Sequence, residues 1–275
     1  DGVNELSYLL LEVVDEIHLL QPGSNIQLSH RSPDRFLYEA ARVIRKGYGY
    51  PAVFNADAVV AELVSTGKSL ADARQGGVSG CVESGCFGKE AYVLTGYLNT
   101  PKVLELALND GRDPVSGTQI GPNTGDATGF ASFGVLMDAF AKQLHAIVEI
   151  KVQGNAIFEH AYASEMPAPF LSAVIDDCVE RGTDYNAGGA RYNTSFVQCV
   201  GIGSITDSLS AINARVYREN ALDMGSLLRL LADDFEGHEA ERLMLASSPR
   251  YGNDDDAADD IMRAVFEMLY REIDG

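Results

Sequence analysis

Cys81 and Glu83, two residues apart in Gly80-Cys81-Val82-Glu83, are the pair in this chain whose side chains are best suited to joint chemistry. They lie in a stretch that also holds Gly76, Gly77, Gly85, Cys86 and Gly88. Glycine at that density signals a tight loop with close backbone approaches. In an extended turn, positions two apart project to one side, so the thiol and the carboxylate would face the same space. Three chemistries compete for such a pair. A nucleophilic thiolate wants a positive neighbour or a histidine to depress its pKa, whereas Glu83 would raise it, and no histidine is near in sequence. A metal site wants more ligands. A thiyl radical needs no thiolate: it abstracts a hydrogen atom, and an adjacent carboxylate moves protons on the resulting substrate radical. On residue types alone these three are comparable, and an inert structural loop is a simpler reading than any of them.

The remaining candidates carry plainer readings. Cys178 and Cys199 sit in apolar surroundings and read as packed thiols, and Cys86 as a bystander. No CxxC pair or zinc spacing occurs, so no metal is expected. His18, His30, His145, His160 and His238 are scattered. Gly201-Ile202-Gly203-Ser204 falls at a strand-to-helix turn, where α/β barrels place ligand contacts; Ile202 and Gly203 are therefore candidates for substrate binding, although a tight turn explains them equally well. Asp254-Asp255-Asp256 lacks EF-hand spacing and reads as a solvated helix start.

The elements that must position these residues follow from periodicity. Helical spacing runs from Glu5 to Leu20, with Pro22-Gly23 as the stop. Asn25 to His30 alternates as a strand does. A helix from Ser32-Pro33-Asp34 to about Lys46 is expected, with Ser32 as N-cap and Pro33 in its first position. Gly47 to Pro51 is a turn, Ala52 to Asn55 a strand, and Ala56 to Ser65 a helix. After the glycine-rich loop, Thr100-Pro101 opens a helix, and residues 109–130 form a long irregular connection. Further helices are expected over Ser132–Ile150 and Pro169–Arg181, a strand over Tyr192–Gly201, a helix from about Thr206, and helices with polar breaks from Met224 to Ile273. Strand, helix, strand, helix, then mostly helix with one late strand, is an α/β order with part of a barrel or an open parallel sheet. No linker that would split the chain is evident.

Composition bounds the partners. The 275 residues carry 40 Asp and Glu against 21 Lys and Arg, a formal charge of −19, which repels both nucleic acid and anionic membranes. No apolar run is long enough to span a bilayer, and no signal-peptide pattern is visible, so a cytoplasmic chain with reduced thiols is expected. The chain opens at Asp1 with a helical pattern in progress and closes at Asp274-Gly275 just after one, and both ends read as cut.

The surroundings of Cys81 separate the three chemistries. Val78 through Tyr92, reading VSGCVESGCFGKEAY, resembles the cysteine loop of glycyl radical enzymes, the pyruvate formate-lyase-like superfamily. Similar stretches continue through Gly47-Tyr48-Gly49-Tyr50-Pro51, Phe54-Asn55, Leu104 to Asp113, Gly125-Asp126, Asp176-Asp177-Cys178, Gly188 to Asn193, Asp207-Ser208-Leu209 and Tyr251 to Asp256, so the resemblance covers essentially the whole chain. It implies a ten-stranded α/β barrel of two half-barrels, with this chain supplying the second half-barrel plus flanking helices. It implies that no cofactor is bound. Instead a separate S-adenosylmethionine iron–sulfur activating enzyme installs a radical on a glycine, and the radical passes to the cysteine inside a buried, dry cavity. The partners so implied are that activating enzyme, a small-molecule substrate and a second copy of the chain in a homodimer. Cys81 falls on the thiyl position, Glu83 on the acid/base position, and Tyr97 on a pocket-lining position whose alternative is a core aromatic.

Val82 after Cys81 departs from pyruvate formate-lyase itself, which has two adjacent cysteines. Cys-x-Glu instead resembles the dehydratase and eliminase branch, which acts on glycerol, propanediol, hydroxyproline, choline or isethionate, with arylacetate decarboxylases as the alternative. Gly88-Lys89-Glu90-Ala91-Tyr92 is most similar to hydroxyproline dehydratases. The family's Arg-Val-Ser-Gly-Tyr-like radical-glycine motif does not occur here. The expectation is an internal fragment, residues 1–275, of the catalytic domain, with the C-terminal glycine-radical domain absent and the piece alone catalytically incomplete.

Overall fold

The computed structural model describes residues 2–18 and 21–273. In chain order the elements are α1 (Glu5–Ile17), β1 (Asn25–Leu28), α2 (Asp34–Ile44), β2 (Ala52–Asn55), α3 (Ala56–Ser65), α4 (Leu70–Ala73), β3 (Gly77–Ser79), β4 (Glu83–Gly85) and β5 (Glu90–Asn99). There follow α5 (Thr100–Leu108), α6 (Phe133–Glu165), α7 (Pro169–Ser172), α8 (Cys178–Arg181), β6 (Tyr192–Val200), α9 (Ile202–Ile212), α10 (Met224–Ala232), α11 (Glu239–Ala246) and α12 (Asp256–Ile273). The chain forms two compact units, one of residues 1–93 and 159–196, the other of residues 94–158 and 197–275. It passes from one to the other inside β5, α6 and β6, which is why no linker composition marks the division.

In the first unit β1 and β2 pair in parallel, Asn25 opposite Ala52 through Leu28 opposite Asn55, with α2 as the crossover. Phe36, Ala40 and Val43 of α2 pack against Leu11 of α1 and the half-buried Ile26 and Leu28. A second cluster, Val59 and Leu63 of α3 with Ala73, Val78 and Cys86, seats the β3–β4 pair. This glycine-rich segment, expected as a tight loop, is an antiparallel hairpin, Gly77 opposite Gly85 and Ser79 opposite Glu83. In the second unit α6 supplies Leu136, Phe140 and Leu144 to a core completed by Ile205 and Leu209 of α9 and Val265 of α12. β5 pairs with β6 in a two-stranded sheet; β5 is an element that periodicity leaves unassigned.

Several boundaries differ from expectation for identifiable reasons. α1 stops at Ile17 because His18 adopts a left-handed conformation and returns its N–H to Val14; Leu19 and Leu20 lie outside the described residues. Pro33, extended at ψ 139°, is the N-cap of α2, its carbonyl taking the Phe36 N–H, whereas the Ser32 hydroxyl accepts from Ser29 N–H instead. α6 runs 15 residues beyond Ile150, where its apolar residues Ile157 and Phe158 are exposed and no buried stripe reports the helix. The helix expected over Pro169–Arg181 breaks into α7 and α8. Asp177 between them takes φ 77°, its carboxylate bound 2.8 Å from Arg191 Nη2, and the Asp176 N–H bonds Gly88 O at 2.8 Å. α9 begins at once after Gly201, whose carbonyl accepts the Ile205 N–H at 2.8 Å.

α12 is tied to α6 by His145, whose Nδ1 lies 2.6 Å from Glu272 Oε2. That carboxylate, helped by Glu149, raises the His145 pKa above its ordinary 6.5. A raised folded-state pKa adds stability that is fully present below about 6.5 and fades as pH climbs through the folded value. The melting-temperature gap between the chain and His145→Asn should therefore be wider at pH 5.5 than at pH 8.5. An equal gap at both pH values would remove the ion pair from the account of stability.

Candidate active site

Cys81 and Glu83 lie on the β3–β4 hairpin of the first unit, and the backbone brings them together. The three residues Gly80, Cys81 and Val82 join the strands. Gly80 has φ +61°, a region in which an L side chain is strained. The same glycine leaves room: a Cβ there would stand 2.7 Å from Glu83 Oε2. With that space open, the carboxylate folds back over the turn. Its Oε2 accepts the N–H of Cys81 at 2.9 Å and that of Val82 at 3.1 Å, a small nest of backbone donors around a negative group. Among the described residues Oε1 makes no hydrogen bond, so one carboxylate oxygen is anchored and the other is not.

Neighbouring elements hold the hairpin. Asn25, at the start of β1, donates Nδ2 to Gly80 O at 3.2 Å and to Val78 O at 3.4 Å. Ser84 donates its hydroxyl to Glu62 of α3 at 2.5 Å. A Cβ at Gly85 would stand 2.5 Å from the Tyr92 hydroxyl, so only glycine admits that ring beneath β4. Below the hairpin, hydrogen bonds from Lys89 and then from Tyr192 hold the Asp72 carboxyl well below the usual range.

The thiols divide clearly. Cys81 is exposed, as is Val82 beside it at 57 %. Cys86 and Cys178 are buried, and burial pushes both thiols up, with Glu90 adding to the effect at Cys86. Cys199 is half-buried and likewise raised by burial. The expectation of a sulfur inside a closed, dry cavity is thus not met by these residues taken alone. Cys81 stands in the turn of the hairpin with its side chain exposed.

Tyr97, Ile202 and Gly203 belong to the second unit. Tyr97 on β5 is 64 % exposed rather than a core aromatic, whereas its neighbour Leu98 is buried. Ile202 packs, half-buried, against the core of that unit, and Gly203 is in the first turn of α9 with open space where a Cβ would be. Among the described residues no group of three or more His, Cys, Asp or Glu side chains could hold a metal ion, and no helix is long and apolar enough to cross a membrane. Sequence reading missed Gly80 and Asn25 as parts of the site. The glycine immediately before the cysteine was the available signal for the first, and no local signal marks the second.

A family model described as pyruvate formate lyase-like matches residues 1–275. Trans-4-hydroxy-L-proline dehydratase of Clostridioides difficile is 54 % identical over the whole chain, which covers 35 % of that protein. The crystal structure of hydroxyproline dehydratase from the same organism, with trans-4-hydroxy-L-proline bound, superposes with a TM-score of 0.91 over 99 % of the chain and 35 % of its own length. A glycyl radical enzyme from Archaeoglobus fulgidus matches at TM-score 0.83 and 36 % identity, again over 99 % of this chain and 35 % of that one. The glycyl radical subunit of 4-hydroxyphenylacetate decarboxylase from Clostridium scatologenes is more distant, at 26 % identity over 98 % of this chain and 35 % of the subunit. The chain spans about a third of the length of the relatives it matches. Its α/β fold is that of these structures, and the three two-stranded sheets among the described residues are consistent with part of a barrel.

Two measurements on the chain check this geometry. Iodoacetamide under native conditions should label Cys81 at least about tenfold faster than Cys86 or Cys178, read by peptide mass spectrometry; equal labelling of Cys86 would contradict its burial. Gly80→Ala should lower unfolding stability by about 1–2 kcal/mol from backbone strain alone, and an unchanged urea midpoint would show that the turn is not held as described.

Proposed function

We propose that this chain, which belongs to the pyruvate formate lyase-like family, carries the hydrogen-abstracting cysteine of a glycyl radical lyase that removes water from a small hydroxylated substrate. The observation that carries the reading is the Cys-x-Glu turn, in which the Glu83 carboxylate is anchored on the backbone of Cys81 itself. The 54 % identity to a trans-4-hydroxy-L-proline dehydratase, against 26 % to the decarboxylase subunit, favours C–O cleavage over decarboxylation and a hydroxylated cyclic amino acid as substrate class. We read residues 1–275 as an internal part of a longer protein whose remainder covers the Cys81 turn and excludes water and oxygen.

A glycyl radical outside these residues, installed by an S-adenosylmethionine iron–sulfur activating enzyme, would supply the unpaired electron; the exposure of Cys81 in the hairpin turn fits such a donor. The Cys81 thiyl then takes a hydrogen atom from the carbon next to the one bearing the hydroxyl, forming S–H and leaving a carbon radical. Glu83 accepts a proton from the heteroatom on that radical carbon through its unanchored Oε1. The same proton passes to the departing hydroxyl, which leaves as water, and the carboxylate ends as it began. The product radical recovers a hydrogen atom from Cys81 S–H, restoring the thiyl. The net change is substrate to product plus water. Anchoring Oε2 keeps Oε1 in place without reorganisation during each proton transfer. In the second unit Tyr97, with the Ile202–Gly203 turn, is assigned to substrate contact, and the protein is assigned to the cytoplasm as a homodimer.

Turnover of trans-4-hydroxy-L-proline by the full-length gene product, activated anaerobically, tests this reading. Cys81→Ala should abolish it, and Glu83→Gln should reduce kcat by about 10²–10⁴-fold. Water elimination surviving in Cys81→Ala would overturn the assignment.

A further inference from the structure

Glu90, the first residue of β5, has a side chain with no exposed surface, and its partner Lys68, just beyond α3, is 6 % exposed. Glu90 Oε2 accepts the Cys86 N–H at 3.2 Å. Its Oε1 accepts the Thr194 hydroxyl of β6 and lies 3.3 Å from Lys68 Nζ. Lys68 Nζ also donates to Thr66 Oγ1 at 3.4 Å and to Thr194 Oγ1 at 3.5 Å. All of these residues belong to the first unit.

A buried ion pair is a poor source of stability, because desolvating both charges offsets much of their attraction, and an apolar pair of equal volume folds as well or better. What the carboxylate supplies is direction. Cys86 follows β4 immediately, and β4 is paired residue by residue with β3, so fixing the Cys86 N–H fixes the register and height of the whole hairpin. Cys81 and its clamped Glu83 move with it.

We infer that Glu90, held in place by Lys68 and Thr194, is a positioning residue that sets the Cys81–Glu83 turn for hydrogen-atom transfer by accepting the Cys86 N–H. This rests on the radical-lyase reading above. Glu90 touches neither substrate nor the reacting sulfur; it acts through five residues of hairpin. The Lys89-Glu90 pair in the sequence after the cysteine loop thereby gains a role: Lys89 ties to Asp72 of α4, and Glu90 ties the hairpin to Lys68, just beyond α3, and to Thr194 of β6.

The experiment uses the anaerobically activated full-length gene product and two double variants. Lys68→Met with Glu90→Met removes both charges and the acceptor; Lys68→Met with Glu90→Gln removes the charges but keeps an acceptor for the Cys86 N–H. The Met pair should lower kcat at least about tenfold with KM within about twofold, at an unchanged yield of installed radical by electron paramagnetic resonance. Its amides 80–86 should exchange hydrogen faster. The Gln pair should return kcat to within about threefold of wild type and restore amide protection. A Met pair with wild-type kcat, or a Gln pair as impaired as the Met pair, overturns the inference. If the Met pair does not fold, the Gln pair decides alone, since loss of protection at Cys86 in it would also overturn the inference. Cys81→Ala separates the two ideas. Turnover surviving there removes the radical reading, while exchange at residues 80–86 in the double variants still reports whether Glu90 places the hairpin.

Discussion

A carboxylate gripped by the two backbone N–H groups of the turn it belongs to is the contact on which the rest of the site depends. Glu83 reaches the Cys81 and Val82 amides only because Gly80 has no Cβ and accepts a left-handed backbone. Remove either property and the acid can no longer rest on the backbone of Cys81. The sequence spacing of Cys and Glu is thus less important than the glycine before them. That glycine lets the Glu83 carboxylate close on the backbone of the turn that carries Cys81.

The turn needs a fixed base, and the first unit provides it from separate directions. Asn25 of β1 holds the carbonyls of the turn, Glu62 of α3 holds Ser84, and Glu90 of β5 holds the amide after β4. Each is a polar group spent inside or at the edge of a small core, where apolar packing would stabilise more. Hydrophobic contacts are non-directional, so the cluster of Val59, Leu63, Val78 and Cys86 can seat a hairpin but cannot set its register. Hydrogen bonds and a buried ion pair can.

Much of the architecture was legible from periodicity, and the exceptions share a cause. β2, α3 and the start of α5 coincide with the reading because a cap or a glycine-rich turn marks each boundary locally: Asn55 caps α3 and Asn99 caps α5. Where the boundary is set by a distant group, local pattern misleads. Arg191 draws Asp177 out of a helix that apolar spacing would continue, and Ser32 serves a turn rather than a helix end. The far half of α6 lacks a buried stripe and so gave no helical signal, although its composition supports a helix. β5 carries both a buried start and a half-exposed middle, a mixture that neither strict alternation nor a continuous apolar run describes.

By itself the sequence determined the chemistry on offer: a Cys-x-Glu triplet set among glycines at residues 81–83, glycines where the backbone must bend or another group must approach, and a family-wide pattern along the chain. These are local properties, written in residue types at fixed spacing. The tertiary structure alone decided which thiol is open and which are closed, since exposure depends on what packs over a residue and not on its neighbours in sequence. It also decided that Glu83 is anchored through one oxygen, and that Glu90, 90 positions along the chain, meets Lys68 and Thr194. Partners 22 and 104 residues away have no signature in a short window, because only the fold brings the Lys68 ammonium and the Thr194 hydroxyl within bonding distance of Glu90.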